Sequence, residues 1–129
     1  MNIIASTVVF TVDDPASSRH FFTTYLDFRE VLDAPDLTWL SRDDAAPDIL
    51  LRRRDLERPR ERTAQPVVSF AVTDLVREHA RLRAEGAPVT GPLRRNPWSE
   101  WLMRLTDPNG IVVELTEWIA PGGVGPDAG

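Results

Sequence analysis

The chain repeats itself. VVFTVDD (residues 8–14) lies over VSFAVTD (residues 68–74) at an offset of 60 positions, so that Val8 meets Val68, Phe10 meets Phe70, Val12 meets Val72 and Asp14 meets Asp74. Each copy alternates in the manner of a strand with one buried face, then reaches an aspartate suited to cap a helix. After Asp14, Pro15 suits the first helical position, and Phe21, Phe22, Tyr25 and Leu26 form an apolar stripe. After Asp74, Leu75, Val76, Ala80 and Leu82 form a second stripe, and Gly86 stands where a helix could end. Three strand-like pieces follow each helix: FREVLD, LTWLSRD and DILLRR in the first half, APVTG, SEWLMRLT and IVVELTEW in the second. Each half therefore reads β-α-β-β-β. A unit this long, repeated once, predicts two modules of one domain and not a solenoid.

The stretch LERPRERTAQP (residues 56–66) is charged, carries two prolines and has no apolar period. It places a linker at residues 58–66, between module one at 1–57 and module two at 67–119. The tail APGGVGPDAG (residues 120–129) is rich in Gly and Pro and is expected to be disordered. The fold class expected is α+β: two tandem βαβββ modules forming curved mixed sheets around a concave cavity, with the helices on the outer face.

Alternation assigns the faces. Val8, Phe10 and Val12 should pack under the first helix, with Thr7, Val9 and Thr11 facing away. Val68, Phe70 and Val72 do the same in module two, leaving Val67, Ser69 and Ala71 on the far side. Between two apolar runs, Asp107-Pro108-Asn109-Gly110 carries the residues a type I turn prefers, so a hairpin is expected there. In its second strand Val113 and Leu115 belong to the helix side and Val112, Glu114 and Thr116 to the far side. A far face this apolar suggests a pocket or a partner surface.

Composition removes several classes of chemistry. With no cysteine there is no disulfide, thiolate zinc site or cysteine nucleophile. All 15 basic residues are arginine, which rules out Schiff-base and P-loop lysine chemistry. A net charge of −5 argues against nucleic acid, since phosphate contacts need a positive face. The same balance favours a cationic ligand over an anionic one, although mild acidity by itself mainly keeps a protein soluble. No apolar run approaches the roughly 20 residues of a membrane span, and MNIIASTVVF has no signal-peptide pattern, so a cytoplasmic location and no membrane partner are expected.

The residues VDDPASSRHFFTTYLDF, VTDLVREHARLRAEGAPV and, most specifically, PWSEWLMRLTDPNGIVVEL are similar to those of the vicinal oxygen chelate superfamily. That is the superfamily of glyoxalase I, extradiol dioxygenases and bleomycin-resistance proteins. The resemblance covers nearly the whole chain up to Trp118 and makes residues 1–119 a single domain. One departure is local: the family often has glycine after the leucine of the first helix, and here Asp27 follows Leu26. Family enzymes hold a divalent metal with side chains on the first and last strands of their modules. The matching positions here are Thr7, Val67, Glu114 and either Leu50 or Leu51. Only Glu114 is a good ligand. The two histidines fall in the helices, His79 in the stripe with Leu75 and Leu82, and His20 at the surface. The resemblance therefore implies no family-type metal, no cofactor and no catalytic set, although Glu114 as a lone general base stays open.

The resemblance to metal-free, bleomycin-resistance-like members implies a homodimer that sequesters an antibiotic or other aromatic natural product. The ligand-binding residues expected are Thr7, Trp39, Val67, Ser69, Trp98, Trp101 and Glu114, with the tryptophans stacking on a planar or cationic ligand. For Trp101 a place in the core is an equal alternative, since it is in phase with Met103 and Leu105. The run Arg52-Arg53-Arg54 reads as a solvated strand end. The alternative function is a glyoxalase- or dioxygenase-type lyase or isomerase, with an atypical metal set or Glu114 as its base.

Overall fold

The computed structural model describes residues 1–55, 65–96 and 100–118. The expected site residue Trp98, most of the linker and the whole 120–129 tail lie outside them. The chain divides after Ala64 into two compact units, each with its own sheet and helix.

The first unit runs β1 (Thr7–Val12), α1 (Pro15–Tyr25), β2 (Arg29–Ala34), β3 (Leu37–Ser41) and β4 (Asp48–Arg53). Its sheet has the order β1-β4-β3-β2, with β1 and β4 parallel and the other pairs antiparallel. The second unit runs β5 (Val67–Ala71), α2 (Leu75–Ala84), β6 (Val89–Arg95), β7 (Glu100–Thr106) and β8 (Val112–Trp118). Its sheet has the matching order β5-β8-β7-β6, again with the outer pair β5 and β8 parallel. Two four-stranded mixed sheets from tandem βαβββ modules are what the repeat predicts. The β1–β4 pair is parallel because α1 carries the chain back so that β2 runs in the direction of β1, and the two antiparallel steps through β3 leave β4 in that same direction.

Each helix covers one face of its sheet. Under α1 lie Phe10, Val12, Leu40, Ile49 and Leu51, all buried, with Phe21 and Phe22 of the helix at 1% and 0% exposure. The Phe22 ring meets Phe21 and Phe28 edge-on at 5.3 and 5.5 Å, a geometry worth about 0.5–1.5 kcal/mol per pair beyond area burial. The chain leaves α1 through Asp27, whose φ of 57° is left-handed. Aspartate thus occupies the conformation in which the family often has glycine, as it can at modest cost. In the second unit Leu75 and Leu82 of α2 pack with Met103, Leu105, Val113 and Leu115, and His79 is half-buried as its stripe position predicts.

The two helix starts differ from the expected symmetry. Asp74 caps α2, its side chain accepting from Arg77 N at 3.4 Å. Asp14 makes no such bond to α1. The Ser17 hydroxyl donates to the Asp14 carbonyl at 3.0 Å. Glu117 of β8 also reaches α2, accepting from Asp74 N at 2.8 Å and Leu75 N at 3.1 Å. A carboxylate there satisfies otherwise orphaned amides and favours the positive end of the helix dipole. Gly86, with φ 75°, follows the C-terminal residue Glu85 and releases the chain into β6.

Candidate functional site

The turn between β7 and β8 sets the register of the last hairpin. Gly110 N donates to the Asp107 carbonyl at 3.0 Å, and the buried Asp107 carboxylate accepts from Asn109 N at 3.0 Å and Ile111 N at 2.8 Å. Gly110 has a φ of 87°, which glycine adopts without strain. From this closed turn the strands run back in register: Thr106 opposite Val112, Leu105 opposite Val113, Arg104 opposite Glu114 and Met103 opposite Leu115. Glu114 therefore falls on the face turned away from α2, together with Arg104.

The two side chains are joined. Arg104 donates to Glu114 Oε1 from Nε at 3.0 Å and from Nη2 at 2.8 Å. Ser69 of β5 stands on the other side of Glu114 and Gly91 of β6 on the other side of Arg104. Gly91 matters to the pair: a Cβ there would lie 3.0 Å from the Arg104 Cβ and 3.3 Å from its Cγ, where the arginine stem now rests. The far face of the second sheet thus carries the row Ser69–Glu114–Arg104–Gly91. Glu114 is therefore not the lone carboxylate that the sequence reading left open, since a guanidinium holds one of its oxygens. Arg104 was missed, although its alternation with Met103 and Leu105 and the turn register both point to it.

The equivalent row of the first sheet is apolar. Val9 pairs with Leu50, Leu50 with Trp39, and Trp39 with Leu32, one residue from each of the four strands. Val9 is 46% exposed, Trp39 38% and Leu32 46%. By register Leu50 is the counterpart of Glu114. The choice left open between Leu50 and Leu51 is thereby settled, since Leu51 is wholly buried under α1. Two residues further along, on the same face, Thr7 lies opposite Asp48. The Asp48 carboxylate accepts the Ser41 hydroxyl at 2.7 Å on Oδ1 and the Trp39 indole N–H at 2.9 Å on Oδ2. The Ser41 hydrogen bond, and then the one from Trp39, hold the Asp48 carboxyl below the usual aspartate range. At the other end of the row Arg52 donates to the Thr11 hydroxyl from Nε and Nη2, at 3.3 and 3.0 Å.

The expected site residues separate accordingly. Thr7 and Trp39 lie on the far face of the first sheet; Val67 (55% exposed), Ser69 and Glu114 lie on that of the second. Trp101 does not belong with them. It is 8% exposed and stands opposite Glu117, in phase with Met103 and Leu105 on the side of α2, so the expected ligand contact is corrected to a core residue. Trp118 is 64% exposed at the end of β8. The arginine run is a set of strand-end ties: besides Arg52, Arg53 pairs with Asp36 at 3.3 Å and Arg54 with Asp13 at 2.6 Å.

The donor set at the positions that the family uses for metal is a hydroxyl (Thr7), two aliphatic side chains (Leu50 and Val67) and a carboxylate oxygen already held by arginine. Aliphatic groups cannot coordinate, and a guanidinium on Glu114 competes with any cation for the same oxygen. These residues do not fit a family-type divalent ion. Among the described residues no three His, Asp or Glu side chains gather as a metal-binding group elsewhere. No helix among them is long and apolar enough to cross a membrane.

Solved structures share this fold. TioX from Micromonospora sp. ML1 is 22% identical with a TM-score of 0.70, over 89% of this chain and 98% of its own. Lactoylglutathione lyase from Agrobacterium tumefaciens is 22% identical with a TM-score of 0.69, over 87% of this chain and 91% of its own. A glyoxalase/bleomycin resistance protein/dioxygenase from Nocardioides is 19% identical with a TM-score of 0.73, over 97% and 89%. At these identities the likeness is one of fold. No curated protein matches. The family model for the Glyoxalase/Bleomycin resistance protein/Dioxygenase superfamily matches residues 4–115. The chain belongs to that superfamily.

Proposed function

We propose that the protein is a metal-independent binder of small molecules, a homodimer that sequesters an antibiotic or another aromatic natural product. The observation that carries this reading is the row Val9–Leu50–Trp39–Leu32, which presents an indole among aliphatic side chains on a face its own helix does not cover. A planar ring system that hides roughly 200 Å² of apolar surface there gains about 5 kcal/mol. Stacking on one indole adds about 0.5–2 kcal/mol. The aliphatic neighbours thus carry most of the affinity and Trp39 most of the orientation. Thr7, Val67, Ser69, Trp98 and Glu114 remain proposed contacts, with Glu114 acting as half of an ion pair with Arg104 and not as a free anion.

The test is equilibrium dialysis of a panel of planar aromatic antibiotics in the presence of a chelator. At least one compound should bind, losing tenfold or more of its affinity in Trp39→Ala and little in Trp118→Ala. If Trp39→Ala and Glu114→Ala bind every compound as the wild type does, the site is misassigned. A second reading, a lyase or isomerase, draws on the fold likeness to lactoylglutathione lyase and on Glu114, which the family resemblance places at a metal-ligand position. Its mark would be turnover that Glu114→Gln abolishes.

A further inference from the structure

Trp39 has one polar atom, and Asp48 takes it. The indole N–H donates to Asp48 Oδ2 at 2.9 Å, while the other carboxylate oxygen is fixed by the Ser41 hydroxyl at 2.7 Å. The carboxylate is thus gripped from β3 at two points, and it holds the indole against rotation. Two consequences follow from general chemistry. With its N–H occupied, the ring has only its π surface to offer a ligand. An indole donating to an anion is also polarised, so that surface becomes more electron-rich and more attractive to a cation.

The charges on the same face of β4 give this a direction. Asp48, Leu50 and Arg52 alternate along the strand, with the Cα atoms of the aspartate and the arginine roughly 13 Å apart on either side of the apolar row. Arg29 of β2 lies opposite Ser41, and its guanidinium is tied to Asp43 at 3.1 Å. A flat ligand lying over Leu50 and Trp39 therefore meets negative charge at the Asp48 end and positive charge at the Arg52 end.

We infer that Asp48, braced by Ser41, is a positioning residue that fixes the Trp39 indole and makes the site select planar rings bearing a positive charge, with that charge at the Asp48 end. This rests on the reading of the far face as a ligand site, and the test keeps the two apart. N-methylacridinium and the neutral N-methylacridone have nearly the same shape. Their binding is followed by probe fluorescence in wild type, Asp48→Asn, Asp48→Ala, Ser41→Ala and Trp39→Phe.

Wild type should prefer the cation at least tenfold. Asp48→Asn, which keeps an acceptor for the indole but not the charge, should lower cation affinity fivefold or more and change the neutral ring less than twofold. Asp48→Ala should weaken both. Ser41→Ala should fall between wild type and Asp48→Asn. The near-ultraviolet circular dichroism that Trp39→Phe removes should shift in Asp48→Ala and be restored in Asp48→Asn, which a merely structural role would not produce. Trp39-dependent binding with an unchanged cation preference in Asp48→Asn overturns this inference alone. Binding of neither ring, or binding equal in Trp39→Phe and wild type, overturns the site reading with it.

Discussion

Arg104 and Glu114 stand directly opposite each other on β7 and β8, with two guanidinium nitrogens, at 3.0 and 2.8 Å, on one carboxylate oxygen. In the other unit the same two places in the sheet are taken by Trp39 and Leu50, also opposite each other. The repeat has kept the backbone and divided the surface: one copy offers an ion pair and the other an apolar step. A duplicated fold diverges most easily at such far-face positions, which the helix-side core does not constrain.

The ion pair should matter little to stability. Its side chains are 44% and 23% exposed, and pairs this open contribute about 0.2–1 kcal/mol. Arg104→Ala and Glu114→Gln should each lower the thermal midpoint by no more than a few degrees, measured by circular dichroism. A loss of 10 °C or more would show that the pair is structural.

Gly91 should be harder to replace than its strand position suggests. Alanine in place of a strand glycine ordinarily gains about 0.5–1 kcal/mol. Here the new Cβ would meet the Arg104 stem at 3.0 Å, and such overpacking costs about 1–3 kcal/mol. Gly91→Ala should therefore lower the denaturant midpoint by an amount equivalent to about 1 kcal/mol. The nearest atom is the Arg104 Cβ, which alanine keeps, so Arg104→Ala should relieve the cost only in part and Arg104→Gly should relieve it fully. A stabilised Gly91→Ala would contradict the close approach.

Core and site aromatics should separate cleanly. Phe22 is wholly buried among Phe21 and Phe28, so Phe22→Ala should cost about 3–5 kcal/mol. Trp39, at 38% exposure, should cost clearly less as alanine while losing ligand affinity. Urea unfolding of the two variants gives the order; the reverse order would make Trp39 a core residue.

Acid should reveal Asp48. Its folded pKa lies below the ordinary value of 3.8, so its contribution to stability is fully present above that value and is lost as pH falls through the folded pKa. Wild type should be more stable than Asp48→Asn at pH 6, and the difference should narrow as pH falls below 3.8 in urea titrations. A constant difference down to pH 2 would show that the hydrogen bonds to Ser41 and Trp39 do not depend on the charge.

The repeat, the turn and clear alternation made most of the fold legible. Val8-Phe10-Val12 and Val113-Leu115 each show which face is buried, and Asp107 with Gly110 closes the last hairpin. Where alternation fails, so does the reading: Ile49-Leu50-Leu51 is an unbroken apolar run, and only the pairing of β4 with β1 decides that Leu50 faces away from α1. The Trp39–Asp48 contact depends on the register of β3 against β4, which the six residues between them do not fix. Arg104 is legible from the turn, because the Asp107–Gly110 closure sets it directly opposite Glu114. Trp101 was ambiguous because an aromatic beside a turn suits either a core or a rim, and its phase with Met103 and Leu105 was the better guide.

Native mass spectrometry of untagged protein, purified from its own host and then exposed to equimolar Mg²⁺, Mn²⁺, Ni²⁺, Co²⁺ and Zn²⁺, tests the central claim most directly. The account predicts chains that retain no stoichiometric metal and that carry, or take up from a host extract, a small aromatic compound which Trp39→Ala fails to hold. One tightly held divalent ion per chain, lost in Glu114→Gln, would contradict it and make the far face of the second sheet a metal centre.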